Sequence, residues 1–130
     1  MYSLAPAGSY SEDYRARQNG GGVSVKLSTK RTLQNVTQVE YTQNMTTGHV
    51  FYDFSNIDGY PFQQWGMAIY PFFKSSRQQP RNCLDNCCPV ICPPGPGICT
   101  AAYNKPNDDF ATHACPLATD LNVYLCESSL

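Results

Sequence analysis

The stretch EYTQNMTTGHVFYDFSNIDG, residues 40–59, contains the end of one run and the whole of a second run that are rich in β-branched and aromatic residues. The runs VTQVEYT (36–42) and HVFYDFS (49–55) are typical of strands, and the polar segment between them ends in Gly48, which suits a hairpin loop. The same stretch carries three carboxylates. It therefore predicts two neighbouring strands and a turn that bear Glu40, Asp53 and Asp58.

Three further segments have strand character. VSVKLS (23–28) alternates strictly between apolar and polar residues, which indicates a strand with one buried face. WGMAIYPFF (65–73) and LNVYLC (121–126) are also predicted strands, the first ended or edged by Pro71. No amphipathic helical stretch of ten residues or more is found. The pattern predicts an all-β fold, with a β-sandwich as its main body.

Composition excludes several classes of protein. The 130 residues suffice for one domain, and only 15% are charged, with a formal net charge of −1. A nucleic-acid binder needs a basic face, and an anionic membrane surface attracts lysine- and arginine-rich runs, neither of which is present. No apolar run is long enough to span a bilayer. We expect a monomer with no nucleic-acid or membrane partner.

All seven cysteines lie after position 82, in a part of the chain that is rich in proline and asparagine. We expect this segment to lack regular ladders, because proline has no backbone donor, and to be held by disulfides instead. The predicted division is a sandwich formed by residues 1–73 and 119–130, with a cysteine-rich lobe formed by 74–118. The cysteines are Cys83, Cys87, Cys88, Cys92, Cys99, Cys115 and Cys126.

A zinc site is the alternative to disulfides. Cys88 and Cys92 have a spacing that some metal sites use, but no second pair at metal spacing follows, and His49 and His113 stand alone. We therefore predict disulfides, no metal and no cofactor, which places the protein in an oxidising, extracellular compartment. Sequons at Asn35 and Asn44 predict N-glycosylation there and agree with secretion.

Two features point to a longer protein. Seven cysteines cannot all pair within one chain, and the opening MYSLAPAGSYSEDY lacks the basic start and apolar core of a signal peptide. We expect that a signal peptide and an N-terminal strand carrying one more cysteine precede the sequence in the natural protein.

Three stretches together resemble one superfamily. VEYTQNMTTGHVFYDFSNIDGYPF (39–62) is similar to the thaumatin-like signature, and CTAAYNKPNDDFATHACPLATDLNVYLC (99–126) is similar to the C-terminal block of that superfamily. LAPAGSYSEDYRARQNGGGVSVKLST (4–29) resembles the small fungal branch known as the Blastomyces yeast-phase-specific protein family. The resemblance implies a thaumatin-like β-sandwich with a reduced disulfide-rich lobe.

The resemblance also implies a disulfide pattern. Cys126 would be left unpaired here, because its partner in the superfamily lies on the first strand. The pairs implied for the other six cysteines are Cys83–Cys115, Cys88–Cys99 and Cys87–Cys92.

The superfamily has an acidic cleft lined by an arginine, a glutamate and three aspartates. By resemblance, Glu40, Asp53 and Asp58 match the glutamate and the first two aspartates, and Asp108 or Asp109 would supply the last. Only Lys26 could replace the arginine, and a lysine is a point charge rather than a flat bidentate donor. Taken alone, Glu40 also suits an exposed strand position, and Asp58 suits a turn cap.

Neighbouring carboxyls raise each other's pKa and can bind sugar hydroxyls or hydrolyse a glycosidic bond. The leading hypothesis is a secreted fungal protein that binds extracellular or cell-wall polysaccharide, with β-1,3-glucan as the expected ligand. One alternative is a weak endo-β-1,3-glucanase with Glu40 and Asp53 as its catalytic pair; another is an effector or inhibitor-type interaction protein. Either core packing or sugar stacking would suit the aromatic residues Tyr52, Tyr60, Phe62, Trp65 and Tyr103.

Overall fold

The computed structural model describes residues 1–126 and shows a sandwich of two antiparallel sheets, which confirms the predicted all-β fold. The only helical element in that range is a 3₁₀ turn at Asp109–Ala111, and no helix there is long and apolar enough to cross a membrane. One sheet has the order β1-β2-β3-β6, from β1 (Val23–Leu27), β2 (Thr37–Asn44), β3 (His49–Ser55) and β6 (His113–Pro116). The other has the order β5-β4-β7, from β5 (Val90–Cys92), β4 (Met67–Phe73) and β7 (Thr119–Leu125). Residues 127–130, the end of the segment 119–130, lie outside the described residues.

The core lies between the two sheets. Because side chains alternate along a strand, every second residue of β2, β3 and β4 points inward. Val39 and Tyr41 are buried, and so are the residues of β3 that lie across from them. The central core side chains are Val39, Tyr41, Tyr52, Phe54, Met67 and Ile69.

The observed strand bounds lie within two residues of the predicted ones: β1 ends one residue earlier, β2 covers 37–44 rather than 36–42, and β7 covers 119–125 rather than 121–126. β3 has the predicted bounds, whereas β4 begins at Met67 rather than at Trp65. Gly66 has φ 81° and its N–H donates to Phe62 O at 2.9 Å, so the chain turns immediately before the strand. Pro71 lies inside β4 rather than at its end. The β5 ladder stops at Ile69, so Pro71 lies where β4 is unpaired on that side and the missing donor is tolerated.

The cysteine-rich segment is more regular than expected. The prediction that it would form no ladder is wrong, because β5 pairs with β4 from Val90 to Cys92. Further along, β6 pairs with β3. Both strands are short, at 3 and 4 residues, which is why their hydrophobic pattern was too brief to stand out among the prolines.

The disulfide pairs implied by resemblance are also wrong. The chain instead forms Cys83–Cys88, Cys87–Cys115 and Cys92–Cys99, while Cys126 is exposed and free, as expected. A tight turn is the cause: Leu84 and Cys87 exchange backbone hydrogen bonds at 3.0 and 2.9 Å, which places Cys88 beside Cys83. Ala114 N–H donates to Asn86 O at 3.2 Å and brings Cys87 against Cys115 on β6.

Tyr52 joins the first sheet to the disulfide-linked segment. Its hydroxyl donates to Cys88 O at 2.6 Å and accepts from Cys88 N–H at 2.9 Å. Burial raises the pKa of Tyr52 to about 12, although the hydrogen bond to the Cys88 backbone acts in the opposite direction. A neutral hydroxyl that both donates and accepts is therefore fixed at the centre of the molecule.

Candidate functional site

The outward face of the first sheet carries the two acids at its centre. Glu40 on β2 and Asp53 on β3 are direct cross-strand partners. Because Val39, Tyr41, Tyr52 and Phe54 point into the core, strand alternation turns Glu40 and Asp53 to the opposite face. The Cβ atoms of such partners lie about 4.5–5.5 Å apart, so the two carboxyls are held side by side.

Both acids line a surface depression of about 410 Å³, which we call the acidic depression. Phe51 lies two residues before Asp53 on the same face, and Thr112 lies just before β6. Gly22 lies close to Thr42, since a Cβ at Gly22 would come within 2.7 Å of Thr42 Oγ1. The lining residues are Gly22, Val23, Ser24, Glu40, Tyr41, Thr42, Phe51, Asp53 and Thr112.

Asp53 is an unusual carboxyl. Only 8% of it is exposed, and its Oδ1 atom is buried with no hydrogen-bond partner among the described residues. Burial raises the pKa of Asp53 to about 8, and hydrogen bonding with Glu40 and repulsion between the two charges act in the same direction. A protonated Asp53 can donate to Glu40 through its other oxygen, which relieves the repulsion between the two carboxyls without a cation and leaves Oδ1 without a partner.

Asp58 and Lys26 are connected to this face through neutral side chains. Gln38 Nε2 donates to Asp58 Oδ2 at 2.8 Å, and Ser24 Oγ donates to Gln38 Oε1 at 2.6 Å. Lys26 Nζ donates to Ser24 Oγ at 3.4 Å and forms no salt bridge with any carboxylate of residues 1–126. Asp58 thus bonds a side chain of β2 rather than the turn backbone, and Lys26 does not neutralise the acidic pair.

The two adjacent aspartates near the 3₁₀ turn have different positions. Asp108 is buried, and its Oδ2 accepts from the N–H groups of Asn104 and Lys105, both at 3.0 Å. It stabilises a turn and does not reach the acidic depression. Asp109 is exposed and accepts from the Tyr103 hydroxyl at 3.0 Å, and that hydroxyl is 2.7 Å from Thr112 Oγ1. Asp109 therefore lies near the rim.

Of the five aromatic candidates, Tyr103 comes nearest to the acidic depression, because its hydroxyl contacts Thr112, one of the lining residues. Tyr52 and Phe62 are core residues, exposed by 0% and 5%. Tyr60 lines a separate depression of about 230 Å³ next to the proline-rich loop 93–97, and Trp65 precedes β4 in the other sheet. Sequence reasoning missed Phe51, although counting two residues back from Asp53 along the strand would have found it.

The sequons lie at the two ends of β2. Asn35 is exposed, but Thr37 of its sequon is fully buried and donates to Asn56 Oδ1 at 2.7 Å. Asn44 is the last residue of β2, and its Oδ1 accepts from the N–H groups of Thr46 and Thr47, both at 3.1 Å. Asn44 shares the outward face with Glu40, because the two positions differ by four residues.

Comparison with known proteins identifies the family of the chain. The family model described as Blastomyces yeast-phase-specific protein matches residues 1–127. The chain belongs to that family. Among curated proteins it is 46% identical over 127 residues to an antigenic thaumatin-like protein of Arthroderma benhamiae, covering 97% of this chain and 58% of that protein. It is 33% identical over 118 residues to the secreted thaumatin-like protein calA of Emericella nidulans, covering 88% of this chain and 61% of the relative.

The chain thus spans about three fifths of the length of these curated relatives. Both relatives are named thaumatin-like and come from fungi, so the predicted membership of the fungal thaumatin-like group is confirmed. Within residues 1–126, no group of three His, Cys, Asp or Glu side chains is arranged to hold a metal ion.

Proposed function

We propose that this protein is secreted and binds an extracellular or cell-wall polysaccharide, β-1,3-glucan in particular, through the acidic depression. The observation that carries the proposal is the Glu40–Asp53 pair, which lies open to solvent at one side and contains a buried oxygen without a partner. Carboxyl groups both accept from and, when protonated, donate to sugar hydroxyls. The pair therefore offers a neutral and a charged partner to one sugar unit.

Secretion is supported by three disulfides, which persist in oxidising compartments, and by the name of one relative, a secreted thaumatin-like protein.

We also propose N-glycosylation at Asn44. Its Nδ2 makes no hydrogen bond to the described residues, while its Oδ1 is held by the hairpin. A mass loss on glycosidase treatment of secreted protein, absent in Thr46→Ala, would support this modification; an unchanged mass would contradict it.

Binding without efficient turnover fits the position of Lys26. A basic side chain that assists charge development must reach the reacting groups, whereas Lys26 is exposed and bonded to Ser24. Its substitution is therefore expected to change glycan affinity little. Substitution of Glu40 or Asp53 is expected to lower glycan affinity far more.

Titration calorimetry against β-1,3-glucan oligomers tests the proposal. Wild-type protein should release or absorb heat at millimolar ligand, and the variants Glu40→Gln and Asp53→Asn should bind at least about tenfold more weakly. Asp85→Asn is a suitable control, because Asp85 is exposed in the disulfide-linked segment. Absence of heat with wild-type protein would reject polysaccharide binding. A partner captured through residues 74–106, with binding unaffected by the acids, would favour the interaction-protein alternative.

One observation favours a weak endo-β-1,3-glucanase as the second candidate. The raised pKa of Asp53 keeps a proton donor beside Glu40 at neutral pH, as glycoside hydrolysis requires. A retaining mechanism requires the two carboxyl groups to stand about 5–5.5 Å apart, a separation that side chains on directly paired strand positions can adopt. Reducing-end release that disappears in Glu40→Gln would establish this activity, and release unchanged by that substitution would exclude this catalytic pair.

A further inference from the structure

Phe51 is an outward-facing aromatic residue in a position that packing does not require. Its neighbours on β3, Tyr52 and Phe54, are fully buried, whereas Phe51 is half-buried and lines the acidic depression. Moving an aromatic ring away from water is favourable, so a ring left half-exposed beside a depression is available to a ligand.

The residues on either side leave this ring open. Phe51 pairs with Thr42 on β2 and with Ala114 on β6, both of which are small. The ring of His49 lies 6.3 Å away between centroids, further along the same face of β3. Nothing larger than a threonine therefore flanks Phe51 across the sheet.

The spacing from Phe51 to the acids suits a sugar chain. Phe51 and Asp53 are two residues apart on one strand, which separates their Cα atoms by about 7 Å. That step is comparable to the length of one pyranose unit. A sugar held by Glu40 and Asp53 would thus place its neighbour in the chain over the Phe51 ring.

We propose that Phe51 is a stacking platform of the acidic depression and that it selects pyranose units whose hydroxyls are all equatorial, such as β-linked glucose. In such a unit both faces of the ring present C–H groups, which pack against an aromatic face. Mannose has an axial hydroxyl at C2 that projects from one face and would be held away from water without a partner. This inference rests on the proposed polysaccharide binding and names the residue that sets its selectivity.

Affinities for a β-1,3-glucan hexamer and a mannan oligomer, measured for four variants, test the proposal. Phe51→Ala and Phe51→Leu should each lose about tenfold in glucan affinity, whereas Phe51→Tyr, which retains a flat ring, should bind as the wild type does. Trp65→Ala is the matched control, because Trp65 is 45% exposed in the turn before β4 and does not line the acidic depression, and this variant should bind normally. The preference for glucan over mannan should fall in Phe51→Ala.

The outcomes separate this inference from the proposed function. If glucan binding is lost in Glu40→Gln but unchanged in both Phe51→Ala and Phe51→Leu, the stacking role is wrong and polysaccharide binding stands. If Phe51→Leu binds glucan as tightly as Phe51→Tyr does, residue 51 makes a general apolar contact and the proposed stacking role is wrong. No binding by wild-type protein overturns both proposals. Equal thermal unfolding midpoints for the variants would show that the affinity changes do not arise from unfolding.

Discussion

Glu40 and Asp53 face each other across neighbouring strands, and the buried one of the two carries an oxygen that no described group satisfies. A charged pair in this position would be costly, because both desolvation and repulsion oppose ionisation. The arrangement is compatible with a stable fold when Asp53 retains its proton. This connects the architecture of the sheet to the chemistry of the acidic depression.

Asp53 should make the protein less stable as pH rises. The pKa of Asp53 is about 8 in the folded protein and 3.8 for an ordinary carboxyl, so between these values the folded state binds the extra proton. The contribution of Asp53 to the free energy of unfolding is largest below pH 4. It decreases between pH 4 and pH 8 by at most about 1.4 kcal/mol per pH unit. Urea unfolding across that range should show a steeper decline for wild type than for Asp53→Asn. Parallel curves would contradict the prediction.

Tyr52→Phe should destabilise the protein by about 1–3 kcal/mol, since it leaves the N–H and C=O of Cys88 buried and unsatisfied. Chemical unfolding under non-reducing conditions measures the change. Tyr60→Phe serves as the control, because the Tyr60 hydroxyl makes no hydrogen bond to residues 1–126. Equal effects of the two substitutions would show that the Tyr52 hydroxyl does not anchor the cysteine-rich segment.

Gly59→Ala should be more harmful than Gly95→Ala. Both glycines have positive φ, 138° and 140°, so the two substitutions share a similar backbone cost. A Cβ at Gly59 would collide with Asn35 Oδ1 and Val36 N, whereas a Cβ at Gly95 meets nothing within 4 Å. We expect an additional loss of about 1–3 kcal/mol for Gly59→Ala, measured by denaturant unfolding. Similar losses of stability in Gly59→Ala and Gly95→Ala would contradict the close approach of Gly59 to Asn35 and Val36.

Partial reduction followed by peptide mass spectrometry should recover Cys83–Cys88, Cys87–Cys115 and Cys92–Cys99. In this 130-residue chain, Cys126 should react with a thiol reagent without prior reduction, because it is exposed and free. A Cys83–Cys115 linkage would instead restore the pairing implied by family resemblance.

The five longer strands could be predicted because their signal is local, whereas β5 and β6 are too short to show one. His49–Ser55 has both strand-forming residues and clear flanking turns, and alternation alone places Asp53 opposite in direction to Tyr52 and Phe54. The disulfide pairs could not be predicted, since they depend on the turn between Leu84 and Cys87 and on the docking of β6. Likewise, only the 3₁₀ turn decides that Asp108 points inward and Asp109 outward.

Backbone amide shifts of isotope-labelled protein, recorded during titration with a β-1,3-glucan hexamer, test the central claim most directly. The account predicts that shift changes concentrate on β1, β2 and β3 around Glu40, Phe51 and Asp53 and on Thr112, the residues that line the acidic depression. It also predicts that these changes disappear in Glu40→Gln. Shift changes confined to the proline-rich loop 93–97 or to the outer face of the other sheet would contradict it.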